Sequence, residues 1–161
     1  MFTPELRRRA EALVALYRER GLKLVTAESC TGGLVAGLVT EIPGSSNVLE
    51  RGFVTYSNRA KQEDLGVEVA LLGKFGAVSR EVAESMARGA LARSPAPIAL
   101  AVTGIAGPGG GSAEKPVGLV HFACGRAGAI KLLEKRFGDL GRGGIRLAAI
   151  ETALDLLFSA V

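Results

Sequence analysis

The sequence predicts an α/β domain: three α/β/α layers around a mixed, mainly parallel sheet with a late antiparallel hairpin, all within residues 1–161 as one domain. Three observations lead there. Stretches with apolar residues at helical spacing alternate with short β-branched runs along most of the chain. Only the apolar runs at 118–124 and 129–137 follow each other with no helix between them. Hydrophobic residues make up 48% of 161, enough for a single core at this length, and charged residues make up 22%, the usual share for a globular domain. No repeat or linker divides the chain.

The elements follow in order. Thr3 can cap a helix whose first position is Pro4, and Leu6, Ala10, Leu13, Val14 and Tyr17 then share one face until Gly21 stops it. "LKLVTA" (22–27) reads as a strand. From about Gly32 to Ile42 the period is helical, and Pro43-Gly44 ends it. "NVLERGFVTYS" (47–57) is a second strand region. Asn58 can cap a short helix through "RAKQEDLG", another follows around "EVALLGKFG", and Ser79 caps a longer one over about 80–93. "SPAP" (94–97) leads stiffly into the strand "IALAVTG" (98–104). A long glycine-rich loop, 105–118, precedes the hairpin, whose strands join through Gly125-Arg126-Ala127-Gly128. The last element, about 142–160, is a helix apolar on most of its circumference. Such a helix is buried in the core or in a subunit contact.

Composition excludes several classes. The net charge of +4 is mild, and the one dense basic run, Arg7-Arg8-Arg9, reads as a solvated helix face. Aromatic residues are only 5%, too few for base-stacking platforms, so no nucleic-acid partner is expected. The two cysteines, Cys30 and Cys124, lack CxxC spacing, and the single histidine, His121, cannot build a multi-histidine metal site. The N-terminus has no signal-peptide core and no apolar run reaches spanning length, so a cytoplasmic protein without a membrane partner is expected.

Chemistry concentrates in "VTAESCTGG" (25–33). Neither nucleotide loop fits: a Walker loop needs a lysine after its second glycine, and none occurs between Gly33 and Lys61; "GGLVAG" and "GPGGGS" both miss G-x-G-x-x-G. A serine between a strand end and a helix start is well placed for acyl transfer, because free N–H groups there can hold an oxyanion. Taken alone, Ser29 or Thr31 reads more readily as a helix cap, since Ser and Thr are common there. A serine nucleophile also needs a base. His121 lies inside "GLVHFAC" and reads as a strand residue. Lys61, in "TYSNRAKQEDLG", is the alternative, as in serine-lysine hydrolases, provided that burial or neighbouring positive charge, from Arg59 or the helix start, keeps it neutral. An exposed helix lysine fits the spacing as well. Cys30 is the rival nucleophile, but it lacks a histidine partner.

"TAESCTGG" (26–33), "GSSNVLERGFVTYSNRAK" (44–61), "GAVSREV" (76–82) and "TGIAGPGGGSAEKPVGLVHFA" (103–123), with a looser match at "RGGIR" (142–146), resemble the C-terminal domain of the CinA competence/damage-inducible family. That domain also occurs as a stand-alone nicotinamide-nucleotide amidase. The resemblance covers essentially the whole chain. It implies deamidation of nicotinamide mononucleotide (NMN) to nicotinic acid mononucleotide and ammonia, with Ser29 as nucleophile, Lys61 as base and Tyr56 assisting. It implies backbone donors near Cys30, Thr31 and Gly32. Glu28 and Gly33 beside the turn, and Thr103, Gly104, Ile105, Ala106 and Gly107 at the strand end, are then expected to bind substrate. Lys115, Arg142 and Arg146 are the candidates for its phosphate. No metal or cofactor is expected, and the partners expected are the small-molecule substrate and a second copy of the chain, foremost a homodimer. Full-length family members carry a further N-terminal domain with pyrophosphatase activity, for which this chain has no room. The competing reading is a non-catalytic, nucleotide- or partner-binding relative linked to competence or DNA damage.

Overall fold

The computed structural model describes residues 2–161. Helix α1 (Pro4–Glu19) starts where the Thr3 hydroxyl accepts the Leu6 N–H, and it buries Leu6, Ala10, Leu13, Val14 and Tyr17. Strand β1 (Leu24–Glu28) is followed by a turn and by α2 (Leu34–Thr40). A single 3-10 turn (Ser45–Asn47) leads into β2 (Leu49–Val54). Helices α3 (Asn58–Leu65), α4 (Val69–Phe75) and α5 (Arg80–Ala92) precede β3 (Ile98–Gly104). The hairpin β4 (Leu119–Arg126) and β5 (Ala129–Arg136) leads to the final helix, α6 (Gly141–Ser159).

The strands form one five-stranded sheet in the order β2-β1-β3-β4-β5. β1 pairs in parallel with β2 and β3, while β3–β4 and β4–β5 are antiparallel. The mixed sheet is as expected, but its pairings divide evenly. The loop after β3 returns the chain directly alongside that strand with no crossover helix, so parallel pairing stops there. β1 is flanked by the next two strands of the sequence, one on each side. The crevice at the carboxyl ends of β1 and β3 is therefore the switch point where open α/β sheets bind ligands.

The two sheet faces differ in side-chain size. Leu24, Ile98, Leu100, Val102, Val120 and Phe122 face the layer of α1, α2 and α6. Val25, Ala27, Ala99, Ala101 and Ala123 face α3, α4 and α5. The small residues let α5 lie close to the sheet, and Gly89 lets it lie close to α3: a Cβ there would stand 1.9 Å from the Leu65 carbonyl oxygen. The apolar circumference of α6 is accounted for within the chain, because the helix packs on α1, α2, β3 and β4. That removes the reason for expecting a second copy against it; only Leu147 of its large apolar residues is exposed. Among the described residues, no helix is long and apolar enough to cross a membrane.

Several boundaries depart from the sequence reading. Ser57, not Asn58, caps α3, its hydroxyl accepting the Ala60 N–H. The hairpin turn is tighter, with only Ala127 and Gly128 between strands. Helix α2 starts later than Gly32, for a reason that belongs to the site.

Candidate active site

Strand β1 is buried along its whole length, and its ladders continue past its end on both sides. Ser29 N–H donates to the Val102 carbonyl (2.9 Å) and Thr55 N–H donates to the Glu28 carbonyl (2.9 Å). The chain then turns sharply. Gly32 (φ +61°) and Gly33 (φ +91°) adopt left-handed conformations that side chains resist, so the turn needs both glycines.

Glu28 explains why α2 begins only at Leu34. Its fully buried carboxylate reaches over the turn and accepts N–H groups from Gly33 (3.1 Å), Val35 (3.1 Å) and Ala36 (2.9 Å). The helix start is thus capped by an acidic side chain from the preceding strand, and neither Ser29 nor Thr31 caps it. This corrects two expectations. Glu28 is not a substrate ligand, because all of its bonds go to the backbone of α2. Gly33 is not one either, because its N–H belongs to Glu28.

With the capping role taken, the Ser29 hydroxyl is free for chemistry. Lys61 lies one turn into α3, four residues before Leu65, on the helix's buried face. The residue is 1% exposed, and its Nζ lies 3.1 Å from Ser29 Oγ and 2.7 Å from the Thr55 carbonyl. No carboxylate among the described residues pairs with it. Burial lowers its pKa from the usual lysine value, opposed by the smaller influence of Cys30. Arg59 supplies no positive field: it is exposed and paired with Glu63 (2.7 Å). The neutral lysine needed of a base is favoured by desolvation alone.

Cys30 sits beside this pair as a buried thiol, its pKa pushed up to about 11, chiefly by burial. A thiol so held is protonated at neutral pH, which makes it a poor nucleophile. The N–H groups of Cys30 and Thr31 favour charge on that sulfur, and neither donates to a backbone acceptor among the described residues. Gly32 N–H, by contrast, donates to the Ser29 carbonyl (2.9 Å), so Gly32 cannot serve as an oxyanion donor.

A cavity of about 280 Å³ opens over Ser29, Cys30 and Lys61. Thr103, Gly104, Ile105, Ala106 and Gly107 line it, as do Tyr56 and Arg142. Arg142 spans the mouth, donating to the Gly107 carbonyl (2.8 Å) and to the Tyr56 hydroxyl (2.7 Å). The Tyr56 hydroxyl therefore bonds to Arg142 rather than to Ser29 or Lys61. Thr103 Oγ1 donates to the Ala77 carbonyl (2.8 Å), which brings Ala77 and Val78 into the wall. Those two, with Asn58, Gly109 and Gly110, are lining residues that the sequence reading missed. Ala77 and Val78 were signalled only by lying in the family-like block 76–82, just before the Ser79 cap.

Two phosphate candidates lie elsewhere. Lys115 Nζ donates to the Phe75 carbonyl at the end of α4, and it lines a separate cavity beside His121. Arg146 donates to the Thr31 carbonyl (3.2 Å) and is not part of the cavity wall. Both long side chains are claimed by backbone carbonyls that only the tertiary fold brings near. His121 is buried in β4, with Nε2 3.8 Å from Glu134, and it does not line the Ser29 cavity.

The CinA C-terminal domain model matches residues 6–161 of this chain. A "Putative competence-damage inducible protein" of Caldicellulosiruptor saccharolyticus is 51% identical over 148 residues, covering 91% of this chain and 36% of the relative. A "CinA-like protein" of Geobacter sulfurreducens is 50% identical, covering 91% and 35%. The chain thus spans about a third of the length of these curated relatives. Among solved structures, the competence/damage inducible protein CihA of Agrobacterium tumefaciens superposes with a TM-score of 0.96 at 54% identity, covering 99% of this chain and 97% of that one. A CinA superfamily protein of Escherichia coli gives 0.91 at 32% identity, covering 98% and 92%.

Proposed function

The chain belongs to the CinA C-terminal domain family, and from that premise we propose that it is an amidohydrolase that deamidates NMN through a serine-lysine acyl-enzyme mechanism. The observation that carries the reading is the 3.1 Å contact between a buried, carboxylate-free lysine and a serine at the floor of a cavity. Neutral Lys61 accepts the Ser29 proton as Oγ attacks the carboxamide carbon. Charge on the carboxamide oxygen falls to the N–H groups of Cys30 and Thr31. The Lys61 ammonium then returns its proton to the departing ammonia, and water, activated by the same amine, releases nicotinic acid mononucleotide from Ser29. The Thr55 carbonyl holds the amine in line through both halves.

The cavity lies near the small end for ligand pockets, which suits a pyridine carboxamide and ribose inside and a phosphate at the mouth. Arg142 keeps guanidinium N–H groups available there beyond its two bonds, and Asn58 stands on the same wall. Incubation with NMN tests the reading directly. Wild-type chain is expected to release one ammonia per nicotinic acid mononucleotide, and Ser29→Ala none. Absence of both products at high enzyme concentration would refute it.

A further inference from the structure

We infer that Arg146 is a positioning residue for the oxyanion hole, a fixed cation that orients the turn carrying the Cys30 and Thr31 donors. The inference rests on the acyl-transfer reading of Ser29 and extends it to a residue outside the cavity. Arg146 lies in the second turn of α6, and its guanidinium reaches the turn that follows β1. Its Nη2 donates to the Thr31 carbonyl at 3.2 Å. A Cβ on Gly32 would stand 3.4 Å from the same nitrogen, an ordinary contact distance, so the guanidinium lies directly against the turn, while the glycine itself is required by its φ of +61°. No carboxylate among the described residues forms an ion pair with Arg146. Its Nε is buried and has no hydrogen-bond partner among the described residues. A buried donor without an acceptor is uncommon and calls for an explanation.

With Nε unpaired, the hold of the guanidinium on the turn rests on Nη2, and peptide geometry says what that hold does. A trans peptide points its C=O and N–H in opposite directions. Holding the Thr31 carbonyl fixes the Thr31–Gly32 peptide, whose N–H then points back to the Ser29 carbonyl, where it bonds at 2.9 Å. That bond fixes the Ser29–Cys30 peptide in turn, with the Cys30 N–H directed away from the Ser29 carbonyl. The guanidinium also offsets part of the negative field at the turn: burial chiefly raises the Cys30 thiol pKa, and Arg146 is the weakest of the influences that lower it. The Glu28 carboxylate, which caps α2 across the same turn, acts on that thiol in the opposite sense and more strongly, so losing the guanidinium would leave its negative field without an offset.

The test uses the full chain and the rate at which Ser29 is phosphonylated by a fluorophosphonate, followed by intact mass. In that reaction the Ser29 oxygen bonds to phosphorus, fluoride leaves, and Lys61 takes the proton. The phosphonyl oxygen seeks the same donors whatever amide is the natural substrate. Arg146→Met is expected to slow labelling by roughly tenfold to a hundredfold, on the scale of impairing an oxyanion donor. Arg146→Gln, which keeps a neutral donor, covers the case in which the Met variant does not fold, and it is expected to slow labelling similarly. Arg146→Lys is expected to recover part of the rate at an unchanged melting temperature. With NMN, the loss should fall on kcat rather than KM. Wild-type labelling rates in the Gln variant, or a loss confined to KM, overturn the inference. A wild-type chain that labels at Ser29 but leaves NMN intact sinks the NMN reading alone, and slowed variants would still support Arg146. A wild-type chain that neither labels at Ser29 nor releases ammonia from NMN overturns both, and one that turns over NMN without labelling leaves the kcat of the Arg146 variants as the deciding readout.

Discussion

Lys61→Met separates the proposed chemistry from the fold. The amine is 1% exposed, and its two partners, Ser29 Oγ and the Thr55 carbonyl, are neutral oxygens. Desolvation therefore lowers its pKa from 10.5. The sign of the stability effect follows. An unfolded chain holds this proton up to about 10.5, the ordinary lysine value, whereas the folded chain releases it at lower pH. Between those values the unfolded state carries the extra proton, so stability rises with pH across that window. Below it, the folded chain bears the whole cost of a buried ammonium. Methionine keeps much of the stem and removes the titration. The variant should melt no lower than wild type, with its advantage largest below the folded Lys61 value and fading as pH nears 10.5. Ammonia release from NMN should meanwhile fall about 10³- to 10⁴-fold, since a general base and a member of a catalytic unit are lost together. Ser29→Ala and the double variant should reach the same floor. Wild-type kcat/KM should rise with pH through the same lowered value, because the base must be neutral. Turnover within tenfold of wild type, or a melting temperature several degrees lower at every pH, would refute the reasoning.

Other outcomes follow from single contacts. Glu28→Ala leaves three N–H groups at the start of α2 without their acceptor, and urea unfolding should show a loss of about 3 kcal/mol; a loss under about 1 kcal/mol would show that water caps the helix as well. Cys30→Ala should lower turnover less than about tenfold, and iodoacetamide at neutral pH should leave wild-type activity largely intact, because the thiol pKa is pushed up to about 11. Rapid inactivation with label on Cys30 would reverse the order of the two nucleophiles. Gly89→Ala should destabilise by about 2 kcal/mol or more, since its Cβ would meet the Leu65 backbone; an unchanged denaturation midpoint would mean that α3 and α5 separate readily. Tyr17→Phe removes a buried bond to the Leu157 carbonyl (2.9 Å), and calorimetry should register about 1 kcal/mol.

What the sequence made legible is what short-range pattern controls. Thr3-Pro4, Ser79 and the run 98–104 end or begin elements through adjacent residues, and they lie where the structure puts them. The start of α2 was not legible, because its cap comes from Glu28, upstream on another element. The inward face of α3 was signalled only by Lys61 and Leu65 standing four apart, a spacing that any amphipathic helix shares. Lys115 and Arg146 were misplaced for a related reason. Long cationic side chains travel far from their Cα, and which carbonyl captures them is decided by packing between elements distant in sequence. The sheet's even division between parallel and antiparallel pairs depended on how the 105–118 loop folds back, which composition does not encode.

The extension of the β1 ladders by one residue on each side has a consequence for divergence. Ser29 is pinned to β3 through Val102, and Thr55, which holds the Lys61 amine, is pinned to β1 through Glu28. The spacing between nucleophile and amine is therefore inherited from strand separation, the most invariant length in the molecule. Under the proposed function, selectivity falls instead to the 105–118 loop and the first turn of α6, neither of which sets that spacing. Reaction and substrate range can drift independently, so exchanging the loop between family members should move preference among carboxamides while leaving the serine-lysine geometry where the sheet puts it.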